Sequence, residues 1–306
     1  LAFEASVAGG IPILKSIKEG LAANKIEWVA GIINGTTNFI LTQMREKGVT
    51  FAQGLSEAQT LGYAEADPTF DIEGIDAAHK LTILAALCFG IPMSFKDVYV
   101  EGIKALEQKD IQYAEELGYR IKLLGIAKKR DKGIELRVHP TLIPEERLIA
   151  NVNGVMNAVV VKGNMIGPTL YYGAGAGGLQ TASSVVADLI DISRSSNVPL
   201  LGFEDAEINT IPIYSIDDAI SAYYLRIRVS DKPGVLAEIT KLFGDKKISI
   251  DAMLQKEPNE QESEADIVLL SHLAVEKDIN SVIHAIELMS ATIGKVIKIR
   301  LEELSK

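Results

Sequence analysis

The stretch YYLRIRVSDKPGVLAEITKLFGDKKISIDAMLQKE, residues 223–257, decides the fold of the carboxyl-terminal part of the chain. Apolar and polar residues alternate over Tyr223 to Val229, which predicts a strand. Helical spacing then runs from Pro233 to Phe243, and a second strand from Ile248 to Gln255. Glu257 to Glu264 is an acidic loop, Ala265 to Leu273 a third strand, Asp278 to Met289 a second helix and Lys295 to Ile299 a last strand. That order is βαββαβ, the split-βαβ unit.

Toward the amino end the pattern changes. Helical runs such as IPILKSIKEGLAA (11–23) alternate with strand-like IEWVAGII (26–33), GIELRVHP (133–140) and NAVVVKG (157–163), predicting a mixed α/β domain. The expected organisation is residues 1–200 as that domain, 201–221 with Pro212 as a connector, and 222–306 as the βαββαβ unit. LAFEAS at Leu1 is strand-like and starts at once, as expected of a chain entered at its amino end.

Among 306 residues, 47% are hydrophobic and 24% charged, enough for about two globular domains. The net charge of -10 and the lack of a dense Lys/Arg stripe argue against nucleic acid or an anionic membrane as partner. No apolar run approaches the roughly 18 residues that span a bilayer, and LAFEASVAGG lacks the basic start of a secretory signal. A cytoplasmic location is expected. Cys88 lies in LTILAALCFGI, where core packing is its expected role.

The most chemically loaded stretch is LGYAEADPTFDIEGIDAAHKLTIL (61–84), with Glu65, Asp67, Asp71, Glu73 and Asp76 ahead of Lys80. Crowded carboxylates need cations or donors among them. Pro68 keeps Asp67 out of a helix, Asp71 stands at an N-cap position, and a helix is expected to start near Glu73 and stop at Gly90 and Pro92. After Lys80 that helix carries no charge through Ile91, as a buried helix does. Asp76 and Lys80 are four apart and share a face, so a partly desolvated lysine gains an anionic partner and can relay a proton. An acidic turn with a cap and a surface salt bridge has the same spacing, and spacing does not choose between the two.

Three glycine-bearing pieces offer backbone to a ligand. EASVAGGIPI (4–13) precedes a helix opening at Pro12, and INGTTNFI (33–40) sets Asn34, Gly35, Thr36 and Thr37 between strand and helix. GAGAGG (173–178) satisfies G-x-G-x-x-G, but MIGPTLYY before it is no strong hydrophobic strand and too little domain follows for a Rossmann unit. His79, His139, His272 and His284 lack ligand spacing, so no catalytic metal is expected.

EASVAGGIPI, GIINGTTNFIL, LGYAEADPTFDIEGIDAAHK and GAGAGGLQTASSVVAD, in that order, resemble homoserine dehydrogenase in its common bacterial form with a C-terminal ACT domain. The resemblance implies an NAD(P)-dependent oxidoreductase of threonine and methionine biosynthesis, oxidising homoserine to aspartate semialdehyde and metabolically running in reverse. It implies Glu65 on the substrate's ammonium, Gly35, Thr36 and Tyr63 around the substrate, Asp71 and Asp76 as organisers, and Lys80 on the reacting oxygen. Gly175 and Gly177 are expected to touch the cofactor. The main-chain carbonyls of Glu4, Val7, Gly9 and Ile11 are expected to hold a monovalent cation, usually Na+. In the family a Rossmann domain and a further functional lysine come first, positions that would precede Leu1, so the chain by itself is expected to be nearly inert.

The tail resembles an ACT domain through its DKPGVLAEI turn, so the fold expected is α+β: a mixed-sheet substrate domain followed by a ferredoxin-like unit. The RNP aromatics of an RRM and the C-x-x-C of a metallochaperone are both missing from it. The resemblance implies a small amino-acid effector, often threonine, near Asp231, Gly234 and Val235, and a homodimer or homotetramer. The competing reading is an amino-acid-binding regulatory module with no catalysis of its own.

Overall fold

A computed structural model describes residues 1–194, 201, 211–256 and 264–304. Its strands are β1 (Ile26–Ile32), β2 (Tyr99–Val100), β3 (Tyr119–Arg130), β4 (Gly133–Pro144), β5 (Met156–Gly163), β6 (Gly167–Ala174), β7 (Ile220–Ser230), β8 (Ile250–Gln255), β9 (Glu264–Ser271), β10 (Ala274–Val275) and β11 (Ile297–Leu301). The helices are α1 (Ile13–Lys15), α2 (Gly35–Lys47), α3 (Phe51–Thr60), α4 (Thr69–Ile72), α5 (Ile75–Phe89), α6 (Gln108–Glu116), α7 (Gly178–Arg194), α8 (Val235–Asp245) and α9 (Glu276–Glu287).

The strands form one mixed sheet in the order β6-β5-β1-β3-β4-β11-β7-β9-β8. Among β6, β5, β1, β3 and β4 the pairs are antiparallel, led by the β3–β4 hairpin with its twelve-residue strands. Period-two alternation splits β1 between two layers: Val29 faces the core under the helices, while Trp28, Ala30 and Ile32 pack with Ile149, Ala150 and Val152 on the opposite face. The all-apolar face of α5 seals the larger core against β1, β3 and β4. Gly90, left-handed at φ +62°, ends α5 where glycine was expected to end it.

The carboxyl-terminal unit has strand order β11-β7-β9-β8, with Tyr223, Leu225, Ile227 and Val229 buried against Ile239 and Phe243 of α8 and Ile279, Val282 and Ile286 of α9. This is the expected βαββαβ order with β10 added. Sequence periodicity does not reveal how the unit attaches. β11 pairs in parallel with β4 at Arg300↔Thr141 and Leu301↔Leu142, so the two sheets are continuous. β2 pairs with β4 at Tyr99↔Arg137, and β2 and β11 therefore follow one another along one edge of β4. On the reverse face of β7, Tyr224 joins the first domain's core, and Arg226 meets Asp110 of α6 at 2.6 Å, both buried.

Four local expectations are corrected. LAFEAS is no strand: Glu4–Ser6 makes a 3₁₀ turn, because the Glu4 carboxylate folds back to accept the N–H groups of Leu14 and Lys15, each at 2.8 Å. The helix expected over residues 11–23 lasts only through α1 before a π turn at Ser16–Gly20. Asp71 is no N-cap: it lies inside α4, where Asp67 Oδ1 accepts the Thr69 N–H at 3.1 Å, and α5 starts at Ile75 after left-handed Gly74. MIGPTLYY, judged a weak strand, is mostly β6, held by eight registered pairs with β5. The connector expected at 201–221 lies outside the described residues over 202–210, and Ile213 already bridges Ile134. The acidic loop expected at 257–264 is likewise outside them except Glu264, which opens β9.

Candidate functional site

Asn34 caps α2, its Oδ1 accepting the Thr37 N–H at 2.9 Å. The cap fixes the amide, and its Nδ2 reaches Asp71 Oδ1 at 2.7 Å and Asp76 Oδ2 at 2.9 Å. One short side chain thus stands between two carboxylates from α4 and α5. Lys80 completes the group, donating to Asp76 Oδ2 at 2.7 Å and to the Ile33 carbonyl at 3.1 Å. The Lys80 and Asp76 side chains are only 23% and 18% exposed, so their pairing is less screened than a surface salt bridge. Two of the three ammonium hydrogens are engaged inside the protein, which leaves one for a ligand oxygen.

These residues line a cleft of about 440 Å3 together with Gly35, Thr36, Tyr63, Gly175 and Gly177. The size suits a small metabolite with part of a cofactor. Thr36 donates its hydroxyl to the Tyr63 carbonyl at 2.6 Å, and the Tyr63 ring packs edge-on to Phe39 at 5.1 Å, so the tyrosine loop is tied to α2. The Thr37 hydroxyl also bonds to Asn34, so neither threonine offers an uncommitted hydroxyl proton.

The two glycine-rich pieces that seemed separate are packed on each other. Gly10 N–H donates to the Ala174 carbonyl at 3.0 Å, and a Cβ on Gly9 would stand 2.7 Å from the Gly175 carbonyl oxygen. The turn after Glu4 is therefore the brace under the GAGAGG loop. The loop in turn lies on Asn157 of β5, where a Cβ on Gly175 would fall 2.2 Å from the asparagine side chain. Bare backbone is required there.

Asn157 and Asn34 are the residues whose roles spacing did not disclose. Asn157 is 1% exposed, lines the cleft, and its Oδ1 has no hydrogen-bond partner among the described residues. A buried oxygen with no protein donor is placed to accept from whatever fills the cleft. The signal in the sequence was slight: one polar residue heading the apolar run of β5.

Other expected site residues lie elsewhere. Glu65 is exposed and absent from the cleft lining, although Gly62 and Tyr63 of the same loop contribute. Of the carbonyls expected to hold a cation, that of Gly9 accepts the Ser184 hydroxyl at 2.6 Å and that of Ile11 the Ile13 N–H at 2.7 Å. Burial pushes the Glu4 carboxyl above its ordinary value. Asp231 and Gly234 are exposed in the turn before α8, where Gly234 has φ +97°, and Val235, which opens α8, is buried. They take no part in the cleft. Cys88 is buried, as expected, and burial drives its thiol far up.

A family model described as homoserine dehydrogenase matches residues 12–190, and one described as ACT domain matches residues 223–287. The homoserine dehydrogenase of Pseudomonas aeruginosa is 56% identical over 311 residues, covering 100% of this chain and 72% of that protein. A crystal structure of a homoserine dehydrogenase from Thiobacillus denitrificans is 61% identical with a TM-score of 0.94, covering 99% of this chain and 70% of that one. A hyperthermophilic archaeal homoserine dehydrogenase solved in complex with NADPH is 31% identical with a TM-score of 0.55, covering 64% and 56%.

Proposed function

The chain belongs to the homoserine dehydrogenase family, and on that premise we propose that the Asn34–Asp71–Asp76–Lys80 cleft is where homoserine and aspartate semialdehyde are interconverted. The enzyme is an NAD(P)-dependent oxidoreductase with an ACT domain. The observation that carries the assignment is one lysine, held by Asp76 and a main-chain carbonyl, facing a cleft whose other wall is bare glycine backbone. That combination favours catalysis over a binding module with no chemistry of its own.

Oxidising a carbinol requires its hydroxyl proton to leave as the hydride does. Lys80, with its third ammonium hydrogen uncommitted, is placed to bind the reacting oxygen and to donate that proton as the aldehyde is reduced. In the oxidation the neutral amine would take the proton from the carbinol, while Asp76 fixes the lysine's position. Asp71, linked through Asn34, keeps the lysine's partner from swinging away. Gly35, Thr36 and Tyr63 shape the substrate's surroundings, and Glu65, on the exposed loop beside Tyr63, is our assignment for its ammonium group. The required absence of a Cβ at Gly175 and the φ of +127° at Gly177 fit a loop that lies against a flat ligand, so these two would hold NAD(P). NAD(P), when bound, supplies the hydride acceptor. Homoserine-dependent formation of NAD(P)H by this chain joined to an upstream nucleotide-binding domain tests the reading, and its absence in that folded enzyme would overturn it. Protection of Lys80 from amine modification by homoserine separates a substrate site from an effector site.

We extend the proposal to the finer features. Glu4 and Val7 carbonyls, with the remaining lone pairs of Gly9 and Ile11, would hold Na+ under the GAGAGG loop. Exchanging Na+ for choline should then lower the melting temperature by a few degrees, and no change would remove the cation from the reading. Asp231, Gly234 and Val235 would receive a small amino acid such as threonine at the N-terminus of α8, in a homodimer or homotetramer paired through its ACT domains. Domain limits at 1–200 and 222–306 and a cytoplasmic setting complete it. Among the described residues no helix is long and apolar enough to cross a membrane.

A further inference from the structure

A second cleft lies on the seam where β2 and β11 follow each other along β4. Its volume is about 340 Å3, and its walls come from α9, from β11 and from the chain after β2. On one side stand Lys298 and Asn280, on the other Glu101, with Leu106, Ile283 and Val296 between them.

The polar groups are held in place but not exhausted. Lys298 donates to Glu276 and, at 2.8 Å, to Asn280 Oδ1, which leaves one ammonium hydrogen and the Asn280 amide hydrogens as donors. Glu101 Oε2 accepts from Arg300 at 2.9 Å and from the Tyr99 hydroxyl at 3.0 Å, while Oε1 has no partner among the described residues. Arg300 is tied in turn to Glu276, its Nε at 2.9 Å. The cluster thus holds two cations, Lys298 and Arg300, and two carboxylates, Glu276 and Glu101. A ligand of net charge would leave this balanced, largely desolvated group with an excess charge, which is costly. A ligand carrying both signs would not.

We propose that this seam cleft binds a small zwitterionic α-amino acid, its carboxylate on Lys298 and Asn280, its ammonium on Glu101, and an aliphatic side chain against Leu106, Ile283 and Val296. Burial, which also holds Lys298 below its ordinary value, makes each such contact stronger than on an open surface. The site is distinct from the turn at Asp231–Val235. Its wall also abuts the substrate site: Ile103 N–H donates to the Ile72 carbonyl at 2.9 Å, and a Cβ on Gly102 would stand 2.6 Å from the Glu73 Cα, in the turn between Asp71 and Asp76.

The test is calorimetric titration of the whole chain with L-threonine, L-valine and L-isoleucine as probes. At least one should bind saturably to a site lost in a variant that blocks the cleft, and its methyl ester or its deaminated analogue should bind there at least about tenfold more weakly. Lys298→Met and Glu101→Gln should each weaken binding by a similar factor. Because Lys298 also serves the buried cluster, Ala105→Phe provides the second variant: Ala105 is an exposed lining residue outside the charge network, and a phenyl ring there should block the cleft in a folded protein. Failure of all three probes to bind, or unchanged binding in Ala105→Phe, overturns the proposal.

Discussion

Lys80 Nζ lies 2.7 Å from Asp76 Oδ2, one helical turn away on α5, at the point where that helix passes from a polar end into the core. The pair is therefore anchored where α5 enters the buried core. Lys80→Ala should lower kcat by about 10²–10⁴ with a much smaller change in KM, the range spanned by positioned proton-transfer groups. Steady-state kinetics with homoserine decides it. A rise in KM at constant kcat would make Lys80 a binding residue.

The glycine loop gives a sharper contrast because two of its members differ only in their neighbours. A Cβ at Gly175 would stand 2.2 Å from the Asn157 side chain, whereas at Gly178 it would meet nothing within 4 Å. Gly175→Ala should displace the loop and lower kcat/KM by about 10²-fold, as misplacements of about 1 Å can. Gly178→Ala should stay near wild type. Equal effects in the two variants would show that the loop's contact with Asn157 does not matter.

At the seam, Glu276 and Arg300 are each 1% exposed and share two hydrogen bonds, of 2.9 and 2.5 Å. Burial pushes the Glu276 carboxyl up, but Arg300 and Lys298 outweigh it and hold the group below its ordinary value. A carboxylate lowered in the folded state contributes stability that is present above its unfolded value and lost as pH falls through the folded one. The stability gap between wild type and Glu276→Gln should therefore close as pH drops from about 5 toward about 2. Arg300→Met, which leaves buried Glu276 with Lys298 and the Tyr223 hydroxyl but without its bidentate guanidinium, should cost about 3–5 kcal/mol at neutral pH. Denaturant unfolding across that pH range measures both.

What the sequence disclosed and what it withheld divide along the range of the interactions. The Asp76–Lys80 pair, the buried face of α5 and the βαββαβ order follow from spacings of two to four residues, which periodicity records directly. The insertion of β11 beside β4 joins residues about 160 apart in the chain, Arg300 to Thr141, and no local pattern encodes that. Asp71 was misplaced because α4 and α5 are separated only by Glu73 and a left-handed Gly74, which splits what looked like one helix start. Glu65 carries the same chemistry as Asp71 and Asp76, and only the fold shows that it faces outward.

Asn157 permits a test in which stability and binding move in opposite directions. Its Oδ1 is buried at the cleft wall without a protein donor among the described residues, so the fold leaves it to accept from whatever occupies the cleft. A residue kept for packing would lose stability on truncation. A residue kept for a ligand should not: Asn157→Ala should leave the ligand-free protein as stable as wild type or slightly more so, while KM for homoserine or NAD(P) rises by about tenfold or more. The substrate whose KM responds identifies the donor that Oδ1 meets, the homoserine ammonium or a cofactor amide. If stability falls and both KM values stay put, the orphan oxygen is a packing defect and not part of the site.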